Sequence, residues 1–151
     1  MNKLKIYLDI CSYNRPFDDQ SQMKIRLETE AKLYIQEGIR KHNYSMVWSY
    51  MLDFENHNNP YEDRKRAILL WKDIADEYCT SSDDILTLGE ELMQYGIKEC
   101  DSLQIACAIK SDCDYFITTD RKLLNKPITS ITIINPINFI LEMEGSSHEN
   151  R

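Results

Sequence analysis

Lys5-Ile6-Tyr7-Leu8-Asp9-Ile10 is a short apolar run that meets an acid and then Ser12, Asn14 and Pro16, which are loop formers. It reads as a first strand with Asp9 at its carboxyl end. From Ser21 to about His42 there is no proline, and Leu27, Ala31, Tyr34 and Ile35 keep helical spacing, so a long amphipathic helix follows, weakened at its end by Gly38. Tyr44 to Trp48 is β-prone and reads as a second strand. Met51, Leu52 and Glu55 then follow a helical repeat until Asn58-Asn59-Pro60 breaks it. Pro60 suits the opening of another helix, whose expected buried stripe is Ala67, Ile68, Leu70, Trp71, Ile74 and Ala75.

The second half repeats this alternation. Tyr78-Cys79-Thr80-Ser81 reads as a short third strand, Ser82 with Asp83 and Asp84 as a helix cap and first turn, and Gly96 as a helix stop. Asp101 opens a helix of almost continuous apolar residues, Leu103, Ile105, Ala106, Ala108 and Ile109, of the kind packed against a sheet. Tyr115-Phe116-Ile117-Thr118 reads as strand four, Arg121 to Asn125 as a short helix, Ile131 to Ile134 as strand five, and Pro136 to Met143 as a last helix. Short apolar strands separated by helices imply an α/β fold with a parallel sheet covered on both faces, because parallel strands need long crossovers. The 151 residues suit one domain, expected over residues 1–144, with residues 145–151 as a polar tail.

Lys and Arg total 18 against 25 Asp and Glu, for a net charge of −7, which opposes sequence-independent attraction to nucleic acid. A polyanionic substrate would need bound divalent cations or a basic partner chain. The five cysteines form no Cys-x-x-Cys pair, which fits a reduced, cytoplasmic protein. The start of the chain reaches Asp9 before any long apolar run builds, so neither a signal peptide nor a membrane span is expected. No Gly-x-Gly-x-x-Gly, Walker or Gly-x-Ser-x-Gly motif occurs, which removes the usual dinucleotide, NTPase and serine-hydrolase readings.

In open α/β sheets ligands bind beyond the carboxyl ends of the strands, where Asp9 and Asp120 fall. Each also suits the cap of the helix or turn that follows. Asp101 is held by a rigid buried helix, and Glu55 shares a face with Met51 and Leu52. Two residues turn a helix by about 200°, so Asp53 and Glu55 cannot both serve one site, and Glu55 has the apolar face. Four carboxylates without His or Cys suit a hard cation such as Mg²⁺ or Mn²⁺ rather than zinc. His42 and His57, in polar helix ends, and His148, in the tail, read as surface residues.

The motifs in this order resemble the PIN-domain family, the metal-dependent ribonuclease fold of many toxins in bacterial toxin–antitoxin pairs. The resemblance rests on Tyr7-Leu8-Asp9-Ile10-Cys11, on Leu52-Asp53-Phe54-Glu55 followed by Asn59-Pro60, on Gly96-Ile97-Lys98-Glu99-Cys100-Asp101-Ser102-Leu103-Gln104-Ile105-Ala106, and on Tyr115-Phe116-Ile117-Thr118-Thr119-Asp120. It implies a three-layer α/β/α fold with strand order 3-2-1-4-5. It further implies an Mg/Mn-dependent endoribonuclease in which Asp9, Glu55, Asp101 and Asp120 are the catalytic residues and bind one or two divalent ions. Thr118 would support Asp120 or the scissile phosphate, with Asn14 and Arg15 as further substrate contacts. RNA, an antitoxin protein and a second copy of the chain are the partners implied, with no membrane. Many relatives have Ala and His where this chain has Ser102 and Gln104, which points to a separate subfamily. The alternative is a catalytically inactive PIN-like module that binds RNA or a protein partner. A phosphatase or receiver-type domain with Asp9 as phosphate acceptor is a weaker reading, because the second Asp that phosphatases place two residues on is Cys11 here.

Overall fold

A computed structural model describes residues 3–149. The first strand, β1, is Leu4–Leu8, and its last three residues are fully buried. Asp9 stops it and caps the helical turn α1, Ile10–Asn14, which continues into a 3₁₀ turn at Arg15–Phe17. The segment expected as loop is therefore helical, because the Asp9 side chain satisfies the Ser12 amide and Pro16 sits at the start of the next turn, where it lacks no bond. The long helix α2 is Met23–Arg40, followed by β2 (Tyr44–Ser49), α3 (Tyr50–His57) and α4 (Glu62–Ile74). Then come β3 (Glu77–Cys79), α5 (Asp83–Leu92), α6 (Glu99–Lys110), β4 (Tyr115–Ile117), α7 (Arg121–Leu124), β5 (Thr132–Ile134) and α8 (Pro136–Glu149). The last helix extends past Met143 into the residues read as a tail; Asn150, Arg151 and the His148 side chain lie outside the described residues.

The five strands form one sheet in the order β3-β2-β1-β4-β5, all pairs parallel, with Ile6 opposite both Met46 and Tyr115. This is the three-layer α/β/α arrangement expected. The chain moves outward from β1 to β3 and then returns across it to β4, so the carboxyl ends of β1 and β4 lie side by side at the reversal. Such a reversal opens a crevice, since the loops leave in opposite directions.

The core is built on the central strands. Tyr7 stacks on Phe116 at 5.3 Å between ring centroids, and Tyr13 meets the fully buried Trp48 edge-on at 5.4 Å. Fully burying one large apolar side chain contributes about 1.5–3 kcal/mol, so these aromatic pairs anchor the middle of the fold. Helix α6 packs on β2 and β4, with α5 against it, while α2 packs on β2 and α8. Ser82 accepts from the Ile85 amide at the start of α5, and Gly96, at φ +78°, supplies the left-handed stop before α6, both as expected.

Two expected stripes are wrong in detail. On α4 only Ile68 is buried; Leu70 is 65% exposed, Ile74 is at the surface and Trp71 is half-buried. On α2, Leu27 and Tyr34 are exposed, whereas Glu28, Lys32 and Gln36 lie inside with Ala31, Ile35 and Ile39. Both helices also form the walls of a groove, so part of their apolar surface faces each other across open space. Gly38 also has a packing role near the end of α2. A Cβ built there would stand 2.5 Å from Cε2 of Tyr44, so the glycine admits the ring that packs on Phe139. Gly38→Ala is expected to lower stability by about 1–3 kcal/mol in a urea melt, through overpacking against that ring.

Candidate functional site

Asp9 is placed by the end of β1, where its amide donates to the Ile117 carbonyl of β4 and its side chain turns inward. One carboxylate oxygen accepts from the Ser12 amide at 2.9 Å and the other accepts the Thr118 hydroxyl. Burial raises its pKa to about 7 despite both donors, and the charge of Asp101 pushes in the same direction. Thr118 also accepts from the Asp120 amide at 3.0 Å, so one fully buried hydroxyl fixes Asp9 and the backbone of Asp120 together. Its burial keeps Thr118 from touching a phosphate; it supports the acids from within. Asp120 caps α7 by accepting from the Lys122 amide at 2.9 Å, so both aspartates cap the helical turn that follows them, as expected.

Glu55 projects from α3, and its Oε1 accepts from Gln104 Nε2 at 2.6 Å. The Gln104 carbonyl accepts in turn from Tyr7, whose hydroxyl is 2.6 Å from Ser49 Oγ. A buried chain across β2, β1 and α6 therefore holds Glu55. Burial raises its pKa, the Gln104 bond opposes, and Asp101 adds to the rise. Gln104 lies three residues after Asp101 on α6, hence on the same helix face, which is the one sequence signal that could have linked it to the site. Gln104→Leu is expected to cost about 1–2 kcal/mol in chemical denaturation, since it strips Glu55 and the Tyr7 hydroxyl of a buried partner. Asp53 takes another direction: it accepts from Trp48 Nε1, Lys72 and Tyr78. Its burial is outweighed by those donors, which lower its pKa. It belongs to a surface ion pair and not to the cleft.

Asp101 is in the first turn of α6, which begins two residues earlier than the acid itself. It is half-buried; burial raises its pKa and the Asp120 charge raises it further, with Lys98 and Lys122 pulling the other way. Asp101 and Asp120 line one small cleft of about 160 Å³ with Lys98, Lys122 and Lys126. Asp120 and Glu55 also line a larger cleft of about 460 Å³ with Cys11, Asn14, Tyr61 and Arg64. The Cys11 thiol is raised by Asp9, by burial, and then by Asp120, Asp101 and Glu55, which puts one exposed sulfur in the field of all four acids. Among the described residues none of the four forms a salt bridge, and no three His, Cys, Asp or Glu side chains stand as a ready cage for a metal ion.

The donor set is all oxygen, and a carboxylate buried without a cation is costly unless it is protonated or neutralised. In chemistry, if not as a closed cage, these residues fit a hard divalent ion. His42 and His57 are exposed, as expected. Asn14 lines the large cleft, and its Oδ1 accepts from Asn59 Nδ2 at 3.2 Å. Arg15 also lines the large cleft, with its guanidinium held by the buried Glu28 and by Asp18, each at 3.0 Å. Arg64 reaches the cleft with its guanidinium carbon 4.4 Å from the centre of the exposed Tyr61 ring, and also pairs with Asp18 at 3.3 Å. All five cysteines are free. No helix among the described residues is long and apolar enough to cross a membrane.

No family model matches the chain, and no curated protein matches it. A solved structure does: VapBC2 from Rickettsia felis bound to a DNA fragment from its promoter, at 14% identity, covering 87% of this chain and 98% of that one, with a TM-score of 0.54. The chain has a PIN-like fold. In the PIN-like sheet the adjoining ends of β1 and β4 carry Asp9 and Asp120, and α3 and α6 bring Glu55 and Asp101 to the same end.

Proposed function

We propose that the chain is a nuclease that hydrolyses RNA phosphodiester bonds with one or two divalent ions, Mg²⁺ or Mn²⁺, and that it is the toxin of a toxin–antitoxin pair. The observation that carries this reading is the gathering of Glu55, Asp101 and Asp120 around two clefts that share Asp120, with Asp9 buried close behind them, and with no salt bridge to any of the four among the described residues. The likeness in fold to VapBC2 supports it and motivates a protein antitoxin as partner. Asp9, Glu55, Asp101 and Asp120 would hold the ion, which when bound supplies positive charge and Lewis acidity against the phosphate.

The chain's own residues do the rest. Thr118 and the Ser12 amide favour the ionised form of Asp9, and Gln104 leaves the second oxygen of Glu55 unengaged. Tyr61, exposed beside Arg64, offers a ring face on which an unpaired base can stack, worth about 1–3 kcal/mol per base, and this favours single-stranded RNA. Lys98, Lys122 and Lys126 border the acids and suit a phosphate backbone. The experiment is cleavage of single-stranded and structured RNAs with Mn²⁺. Activity is expected to be abolished by a chelator and lowered about a hundredfold in Asp101→Asn. Unchanged cleavage in that variant would overturn the assignment. Isothermal titration with Mn²⁺ separates the inactive-module reading, favoured by the hold of Gln104 on Glu55, since a vestigial quartet takes up no ion.

A further inference from the structure

A second cavity, of about 300 Å³, lies between α2 and α4, lined by residues other than the four acids. Lys32, Gln36 and Arg40 follow one another at four-residue intervals on α2, so they share one face of it. Lys32 is 3% exposed and Gln36 4% exposed. Gln36 Nε2 is buried without a hydrogen-bond partner. Among the described residues Lys32, Gln36 and Arg40 enter no salt bridge and no side-chain hydrogen bond; Glu28, one turn before Lys32, is taken by Arg15. The Lys32 ammonium instead lies 5.3 Å from the Tyr13 ring centre and 5.6 Å from that of Trp71, with Arg40 stacked on Trp71 at 4.9 Å.

Buried donors are ordinarily satisfied, and a buried ammonium ordinarily has an anion. Here a cation, an unpartnered amide donor and a guanidinium line one cavity that has no carboxylate among its lining residues. Its other walls are aromatic and aliphatic, including Trp71, Phe17 and Ile68. We infer that this cavity binds a small organic carboxylate: the carboxylate takes Lys32, Gln36 and Arg40, and an apolar body lies against Trp71. A phosphate suits it less, because the aromatic and aliphatic walls match a ligand that carries an apolar body beside its anionic group. Burial, with the Arg40 charge added, lowers the Lys32 pKa to about 7, and a bound anion would restore the full charge. At this volume the ligand is at the small end of those that proteins enclose.

The probe is 3-phenylpropionate, with its neutral amide as control, titrated into the full chain and read by intrinsic tryptophan fluorescence and by two-dimensional NMR. The acid is expected to bind and to shift resonances of Lys32, Gln36 and Trp71, with the amide at least about tenfold weaker. Lys32→Met and Gln36→Leu are each expected to weaken the acid by about tenfold or more. Equal affinity for acid and amide on the wild-type chain would overturn the inference without any variant having to fold. So would shifts confined to other surfaces, or no binding up to about 10 mM.

Discussion

Asp9→Asn is expected to lower Mn²⁺-dependent RNA cleavage by about a hundredfold or more while making the metal-free chain more stable above neutral pH. The two effects share one cause. Asp9 ionises near pH 3.8 when exposed but near 7 in the fold, because burial disfavours its charge. The folded chain therefore gains relative stability from protonated Asp9 at low pH, and loses it as pH rises from about 4 through 7. The amide of asparagine carries no charge and escapes this loss, so the gain at pH 8 is on the order of 1–3 kcal/mol. Urea melts at pH 5 and pH 8 check the stability arm. Adding Mn²⁺ at pH 8 is expected to stabilise the wild-type chain and not the variant. A variant that cleaves normally, or that is less stable than wild type at pH 8, contradicts the role given to Asp9.

Arg15→Gln is expected to cost about 3 kcal/mol of stability. Glu28 is 2% exposed, and Arg15 is the one cation within 4 Å of it among the described residues. Removing the guanidinium leaves that carboxylate buried and alone, and frees Asp18 to pair with Arg64 only. The double variant Arg15→Gln/Glu28→Gln is expected to recover part of the loss, since no orphaned charge then remains. Chemical denaturation of the four members of this cycle measures it. A residue that served only to grip substrate would instead raise KM and leave the denaturation midpoint where it was.

The order of elements was legible in the chain because it rests on local chemistry. A break at Asn58-Asn59-Pro60, a cap at Ser82, a left-handed stop at Gly96 and short apolar runs ending in acids all act within a few residues. The choice of Glu55 over Asp53 followed from helix geometry and the apolar face that Glu55 shares, and the two side chains do diverge. The faces of α2 and α4 were not legible. Periodicity shows that a helix has an apolar side, but not whether that side meets the sheet, a groove or solvent; Leu70 and Tyr34 are exposed while Lys32 and Glu28 are buried. Nor could spacing show that Thr118 is sealed inside, or that Arg15 is spent on Glu28.

By itself the sequence determined an alternating parallel α/β chain with acids at strand ends and helix starts, since caps, breaks and apolar periods are short-range properties. Tertiary structure alone decided that the carboxyl ends of β1 and β4 adjoin, that Gln104 holds Glu55, and that three donors on α2 line a cavity without a carboxylate. These depend on which distant segments touch, and burial, which gives a carboxylate or an ammonium its chemistry here, exists only after they do.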